Sequence, residues 1–223
     1  MTDYEIRSNK KYFMHVFNHV DKDIFWWYVD RSEHTTNNLT KYLDIFVNDP
    51  DPDVRIAVVY CGRDKHLDIL VNDPDYRVRV AVVRYGRDKD LDVLVHDSDY
   101  RVRLEIVHNL AGRDEYLDIL IHDKDYRIRR EIAKTYSGQK YFNILSKDED
   151  YRVRTELVNM TESIKNLQEL SCDYNGLVKY EVYHKLCGLS TDSLTDGEKL
   201  IIEELKNILK ENKEVSEYLK LDF

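Results

Sequence analysis

Tyrosine stands directly before arginine at Tyr76-Arg77, Tyr100-Arg101, Tyr126-Arg127 and Tyr151-Arg152, and an aspartate precedes each pair. Tyr and Arg are the side chains most enriched at the centres of protein interfaces, because each combines a large contact area with directional hydrogen bonding. The four pairs are therefore the candidate contact residues for a protein partner or macromolecular complex. The alternative is structural, with each Tyr packed on its neighbour and each Arg solvated or paired. Charge helps to choose between kinds of partner. Arg101, Arg127 and Arg152 each have a glutamate four residues later, at Glu105, Glu131 and Glu156, a spacing that partly compensates their charge on a helix, whereas Arg77 has Ala81. A continuous phosphate-binding track is not expected from this pattern, and a mixed-charge protein interface is.

Other residue types offer less chemistry. Asp44, Asp68, Asp92 and Asp118, with Asn143 in series, form an acidic column that would attract a basic partner, imitate phosphates, or lie on a solvated face. His96 and His122 share one position in the recurring pattern, but a metal site needs more ligands than two histidines a helix spacing apart. Both are read as polar helix-end residues. Cys61, Cys172 and Cys187 have neither paired metal spacing nor an even count, which predicts reduced thiols. No HExxH, GxSxG, GxGxxG or P-loop string occurs. The expectation is a non-enzymatic protein with no cofactor and no metal.

The elements that position the pairs are repeats. Strings such as DPDYRVRVAVVRYG, DSDYRVRLEIVHNLAG and DKDYRIRREIAKTYSG recur, beginning with DPDPDVRIAVVY and ending with DEDYRVRTELVNM and a worn copy, CDYNGLVKYEVYHKLCG. Marked by their second basic residue, the six units stand at Arg55, Arg79, Arg103, Arg129, Arg154 and Lys179, with separations of 24, 24, 26, 25 and 25 residues. Apolar residues four apart, as in Val78 and Val82 or Ile128 and Ile132, predict a helix with one face to the core. Its N-cap is Asp51, Asp75, Asp99, Asp125 or Asp150, and Pro52 takes a first-turn position. Gly62, Gly86, Gly112, Gly138 and Gly188, with Ser163 in the remaining place, are expected to end these helices as left-handed residues. A first helix of about two turns follows, with Leu67, Leu70 and Val71 on one face.

The predicted fold is thus all-α: an α-solenoid of about six 24–26-residue helical hairpins over 41–188, since one such unit cannot bury its apolar face alone. Residues 1–40 and 189–223 are read as caps. The second cap is an amphipathic helix opened by the capping-box string T-D-G-E at Thr195–Glu198 and carrying Leu200, Ile201, Leu205, Ile208 and Leu209. The first holds Phe25-Trp26-Trp27-Tyr28. Four consecutive aromatics cannot all face one side of a helix, so Trp26 and Trp27 are a second candidate contact site or a lid over the first repeat. Pro52-Asp53 and Gly176-Leu177 break the Tyr-Arg column in the first and sixth units, which places the expected binding surface in the middle.

The pattern L-x-x-L-x-x-D-x-D-x-x-V-R-x-x-V over 41–188, as in LDILVNDPDYRVRVAVV, resembles HEAT-like repeats and, by its short period, the leucine-rich repeat variant. The resemblance implies scaffold, adaptor or inhibitor functions, and a structural pairing of the turn aspartate with the V-R arginine across neighbouring repeats, with Asp73 and Arg79 as the example. It also implies an alternative, since some HEAT-like proteins are alkylpurine DNA glycosylases with a basic concave groove and a catalytic aspartate; here Trp26 or Trp27 would stack on a base. The iron–sulfur cysteines associated with the variant family have no counterpart in this chain. A formal net charge of −9 weighs against nucleic acid as partner. No run approaches the length of a membrane span, and MTDYEIRSNKKYF lacks a signal-peptide core, so the chain is expected in the cytoplasm. The expected function is a protein-binding solenoid, adaptor or inhibitor, acting by occlusion or tethering; an acidic nucleic-acid mimic is the remaining rival.

Overall fold

Repetition of D-x-D-Y-R-V-R produces repetition of structure. A computed structural model of the chain describes residues 2–19, 40–61, 63–109, 114–135, 140–189 and 194–211, and among them every regular element is a helix. The chain divides into two compact units, Met1–Ala111 and Gly112–Phe223. The first holds α1 (Asp3–His19), α2 (Thr40–Phe46), α3 (Pro52–Cys61), α4 (Asp64–Leu70), α5 (Tyr76–Tyr85), α6 (Asp88–Leu94) and α7 (Tyr100–Asn109). The second holds α8 (Asp114–Leu120), α9 (Tyr126–Lys134), α10 (Phe142–Leu145), α11 (Tyr151–Met160), α12 (Ile164–Ser171), α13 (Gly176–Cys187) and α14 (Asp196–Glu211). Phe25, Trp26, Trp27 and Tyr28 lie outside the described residues, as do Gly62, Gly112 and Gly138.

Equivalent helices pack on one another in chain order. In the first unit α3 packs on α5 and α5 on α7, while the short α4 and α6 lie against the helices on either side of them. In the second, α9, α11 and α13 follow the same order, and α14 closes on α13 and α12. The pairs four apart do face the core: Val78, Val82, Val102, Ile106, Ile128, Ile132, Val153 and Leu157 are fully buried. Leu67, Leu70 and Val71 are buried beside them. Helices this short are marginal alone, so burying these faces is what keeps them helical.

Polar bonding specifies the turns. The first aspartate of each D-x-D accepts the backbone N–H two residues on, as Asp73 does from Asp75 at 2.8 Å and Asp148 from Asp150 at 2.9 Å. The second caps the helix, Asp75 accepting from Arg77 N–H, Asp125 from Arg127 and Asp150 from Arg152. The arginine of V-R then clamps the units together. Arg55 forks onto Asp73 at 2.7 and 2.9 Å while its Nη1 donates to the Asp49 carbonyl at 2.6 Å. Arg79 does the same to Asp97 and the Asp73 carbonyl, Arg129 to Asp148 and the Asp123 carbonyl, and Arg154 to Asp173 and the Asp148 carbonyl. The turn aspartate and the V-R arginine do pair across neighbouring repeats, but the expected partner is corrected: Asp73 pairs with Arg55, not Arg79. The aspartate side chain serves the arginine of the preceding repeat, and Arg79 reaches only the backbone of Asp73, because its own guanidinium points on to the next turn. Asp49, the first of these turn aspartates among the described residues, is met by Lys10 of α1 at 2.7 Å.

The glycines also act otherwise than expected. Gly86 is extended at φ −81°, ψ −162°, and Gly188 is right-handed helical at φ −76°, ψ −12°, so neither is a left-handed terminator. Gly86 is required by close approach instead, since a Cβ there would meet the Val82 carbonyl oxygen at 2.4 Å and the Asp90 carboxylate at 3.0 Å. The exposed helix-end carbonyls find partners from the following repeat. Asn109 donates to Val83 O at 3.0 Å, and Lys185, at the same repeat position, donates to Val158 O at 2.7 Å and Asn159 O at 2.6 Å.

Helices α1 and α14 have matching starts. Thr2 and Glu5 form a capping box at α1, the T-D-Y-E counterpart of Thr195 and Glu198 at α14. The T-D-Y-E string at Thr2–Glu5 is the sequence signal for it. Helix α1 buries Phe13 and Val16 against α2 and α3, with Phe13 and Phe46 ring centroids 5.2 Å apart. Helix α14 buries Leu205 and Leu209 but leaves Leu200 and Ile208 exposed, so its apolar face is narrower than its pattern suggested. No described helix is long and apolar enough to cross a membrane.

Because each clamp satisfies a buried carboxylate bidentately, removing one partner strands the other. Arg154→Ala, at a side chain 1% exposed, is expected to cost about 3–5 kcal/mol in urea unfolding. Arg154→Met combined with Asp173→Asn is expected to recover part of that loss; equal losses for the single and double variants would show that the charge pair is not the cause.

Candidate functional site

Each Tyr-Arg pair begins a second helix directly after its capping aspartate, and that position determines what both side chains meet. Arg77, Arg101, Arg127 and Arg152 fold back onto the N-cap carboxylates of Asp75, Asp99, Asp125 and Asp150, with closest contacts of 2.8, 2.7, 2.6 and 2.7 Å. The four guanidinium side chains are nearly equal in exposure, at 47, 46, 46 and 44%. Their flat faces are also in use. Arg101 lies 3.4 Å above the Tyr76 ring centroid, and Arg152 lies 3.6 Å above that of Tyr126, well inside cation–π range. Within each unit, then, the tyrosine of one repeat carries the arginine of the next.

This arrangement corrects the expected charge compensation. Arg101 is bonded to Asp99 and Arg152 to Asp150. Glu105 instead receives Arg84 of the preceding repeat at 2.6 and 2.9 Å, and Glu156 receives Arg130 at 2.8 Å. The N-cap carboxylate wins because it is two residues away and already fixed by the backbone N–H it accepts. Each of these four exposed arginines is consequently held beside a carboxylate.

The acidic column is exposed, and Asp44, Asp68 and Asp118 each meet side chains of the next repeat. Asp44 contacts Lys65 and His66, the latter at 2.7 Å; Asp68 contacts Arg87 at 2.7 Å and Lys89 at 3.2 Å; Asp118 contacts Tyr141 and, at 3.4 Å, Lys140. These partners hold all three carboxyls below their ordinary range. His66 accepts the Arg63 backbone N–H at Nδ1, which leaves its Nε2 as the donor to Asp44. His96 and His122 are exposed at first-helix ends, and no group of three or more His, Cys, Asp or Glu among the described residues could hold a metal ion. Cys61 is buried and its thiol pushed up by that burial, while Cys172 and Cys187 are exposed; all three are free.

One feature of the first unit was not anticipated. Between α3 and α5 lies a groove of about 270 Å³ that includes Tyr76 and Arg77. Its other walls are Tyr60 and Tyr85, whose ring centroids are 4.0 Å apart, with Ile56, Val80 and Arg84. Phe17 of α1 meets Tyr60 edge-on at 5.2 Å. The signal was available in the sequence: Ile56-Ala57 and Val80-Ala81 stand where the later repeats carry Arg130-Glu131 and Thr155-Glu156. No family model matches the chain, and no curated protein does.

The arginine forks carry a pH dependence. Arg101 and the backbone N–H it shares draw Asp99 down to about 2, against opposition from partial burial; Arg77 lowers Asp75 and Arg152 lowers Asp150 in the same way. A carboxyl with a depressed folded-state pKa contributes stability that is present above its unfolded value near about 4 and is lost as pH falls through the folded value. Between about pH 4 and pH 2 the melting temperature of the wild type is therefore expected to fall more steeply than that of an Arg101→Ala/Arg152→Ala variant. Parallel pH profiles would show that the forks do not hold these carboxylates down.

Proposed function

We propose that the chain is a non-enzymatic protein-binding α-solenoid of HEAT-like repeats, an adaptor or inhibitor that works in the cytoplasm by occluding or tethering a macromolecular partner. The Tyr-Arg pairs are its contact surface. The observation that carries this reading is the state of the four arginines: about half exposed, fixed on their capping aspartates, and, at Arg101 and Arg152, stacked on the preceding tyrosine. Long polar side chains ordinarily lose rotamer freedom on association, and side chains already held in place lose less. Tyr and Arg presented in this way suit a specific interface better than a solvated surface.

The rival readings receive less support. A nucleic-acid partner needs a local excess of cations, and each Tyr-Arg arginine is matched by an aspartate. A phosphate mimic needs uncompensated carboxylates, whereas Asp44 and Asp68 are bonded to cations and Asp118 to Lys140 and Tyr141.

The test is affinity capture from lysate, with and without nuclease, comparing wild type with a Tyr100→Ala/Arg101→Ala/Tyr126→Ala/Arg127→Ala variant of confirmed helicity. A protein that survives nuclease and is lost with the variant is the expected result. Recovery of nucleic acid alone, or a partner held equally by both proteins, would overturn the proposal.

A further inference from the structure

We infer that the Asn175-Gly176 peptide, at the start of α13, is a spontaneous deamidation site that the fold holds shut. The chemistry is an intramolecular acyl transfer followed by hydrolysis, with water as its only co-reactant, and it is independent of the protein-binding reading.

Of the asparagines in the chain, Asn175 alone precedes a glycine. That neighbour matters because the reaction begins when the Gly176 backbone nitrogen attacks the side-chain carbonyl carbon of Asn175. A Cβ on the attacking residue would crowd the approach and restrict the backbone rotation it needs, and glycine has none. The nitrogen gives up its proton as its bond to Cγ forms, and the side-chain nitrogen leaves with that proton as ammonia. What remains is a five-membered succinimide. Water then opens the ring at either carbonyl. Cleavage at Cγ leaves aspartate in an ordinary backbone, and cleavage at the backbone carbonyl leaves isoaspartate, whose chain runs through Cβ and Cγ.

In the folded chain the groups that would react are committed elsewhere. Asn175 is the N-cap of α13: its Oδ1 accepts the Leu177 N–H at 2.9 Å, and its own N–H donates to Asp173 Oδ1 at 2.7 Å. Its backbone stands at φ −88°, ψ 126°. At that ψ the Cα–H bond of Asn175 lies alongside the Gly176 nitrogen, whereas ring closure requires the Cα–Cβ bond in that place. Turning the peptide to bring Cβ round would redirect the chain at the first turn of α13 and take the side chain off the Leu177 N–H. The reaction therefore waits on local opening of the sixth repeat.

The two products differ in what they do to that repeat. Aspartate is the residue that the other repeats carry here, at Asp51, Asp75, Asp99, Asp125 and Asp150, and its charge is favoured at a helix N-terminus. Isoaspartate lengthens the backbone by one methylene beside Asp173, the carboxylate on which Arg154 forks at 2.6 and 3.0 Å. An opening of the sixth repeat is thus recorded covalently, as a restored cap in one product and as a displaced clamp in the other.

The experiment incubates the full-length chain at neutral pH, in buffer and in denaturing guanidinium chloride, and follows every asparagine by peptide mass spectrometry that separates aspartate from isoaspartate. In guanidinium, Asn175 is expected to react at least tenfold faster than any other asparagine, and Gly176→Ala is expected to remove that lead under the same conditions, where folding does not enter. In buffer, Asn175 is expected to react at least tenfold more slowly than in guanidinium. Asn175→Asp is expected to melt no lower than the wild type, and the isoaspartyl chain, isolated and refolded, is expected to melt lower. An Asn175 no faster than its fellow asparagines in guanidinium would overturn the site, and equal rates in buffer and guanidinium would overturn the shielding. Wild-type melting of the isoaspartyl chain would overturn the consequence assigned to the clamp.

Discussion

Among the described residues, the repeats of Arg55, Arg79, Arg129 and Arg154 each depend on a largely buried arginine that must satisfy two turns at once. One Nη of Arg79 holds the carbonyl of its own turn at Asp73, and the fork of Nε and the other Nη holds the Asp97 carboxylate of the next. A carboxylate out of water is costly without a close cation, and a guanidinium is costly without acceptors, so neither can be tolerated buried unless the next repeat is in place. The apolar faces provide most of the driving force for packing, but they are non-directional. The arginine gives the packing a register, because it can reach the next aspartate from one relative placement of the helices. Lys10 extends the rule to the N-terminal end, where α1 supplies the cation that a preceding repeat would have supplied.

The same motif that organises the interior generates the surface. Once Asp75, Asp99, Asp125 and Asp150 are committed as N-caps, the arginine two residues on has a fixed carboxylate within reach and folds onto it. The preceding tyrosine is then half-covered by the arginine of the following repeat where Arg101 meets Tyr76 and Arg152 meets Tyr126. Stacking and binding would exclude each other at these residues only if stacking hid them from solvent. They are compatible in this geometry, because an arginine lying flat on a tyrosine keeps an outer face and an edge toward solvent. What the stacking removes is conformational freedom, which is the property a binding surface can best do without.

Much of this was legible in the amino-acid string, and what was missed has a physical explanation. The helix frame followed from period and from pairs such as Val78 and Val82, because burial of one face leaves a direct trace in residue type. The capping role of Asp75 followed as well, since a cap is a local interaction. The partner of Asp73 did not follow: in D-P-D-Y-R-V-R two arginines lie close in sequence, and the one it binds, Arg55, comes from the repeat before. Gly86 looked like a left-handed residue because glycine commonly serves that purpose, yet its absence of a side chain answers a steric demand from Val82 and Asp90. The aromatic groove was overlooked for a related reason. Tyr60 and Tyr85 occupy different positions within their repeats, so no column in the alignment brings them together, although the stacked helices do.

The neighbour-to-neighbour clamp also bears on how such a chain can change length. In the first unit, Arg55 leaves a donor fork for whatever aspartate comes next, and Asp73 accepts from whatever arginine came before. A stretch running from Asp73 to His96 begins with an acceptor for the preceding repeat and contains, in Arg79, the donor for the following one. Such a segment is self-matching: a tandem copy inserted after His96 would present the duplicate of Asp73 to Arg79 and Asp97 to the duplicate of Arg79, with every buried charge still answered. Growth and shortening by whole modules would therefore disturb neither the hydrogen-bond pattern nor the apolar interior, whereas an insertion of half that length would leave an arginine facing a helix instead of a turn. The near-constant spacing of Arg55, Arg79, Arg103, Arg129 and Arg154 is the footprint that this kind of modular inheritance would leave.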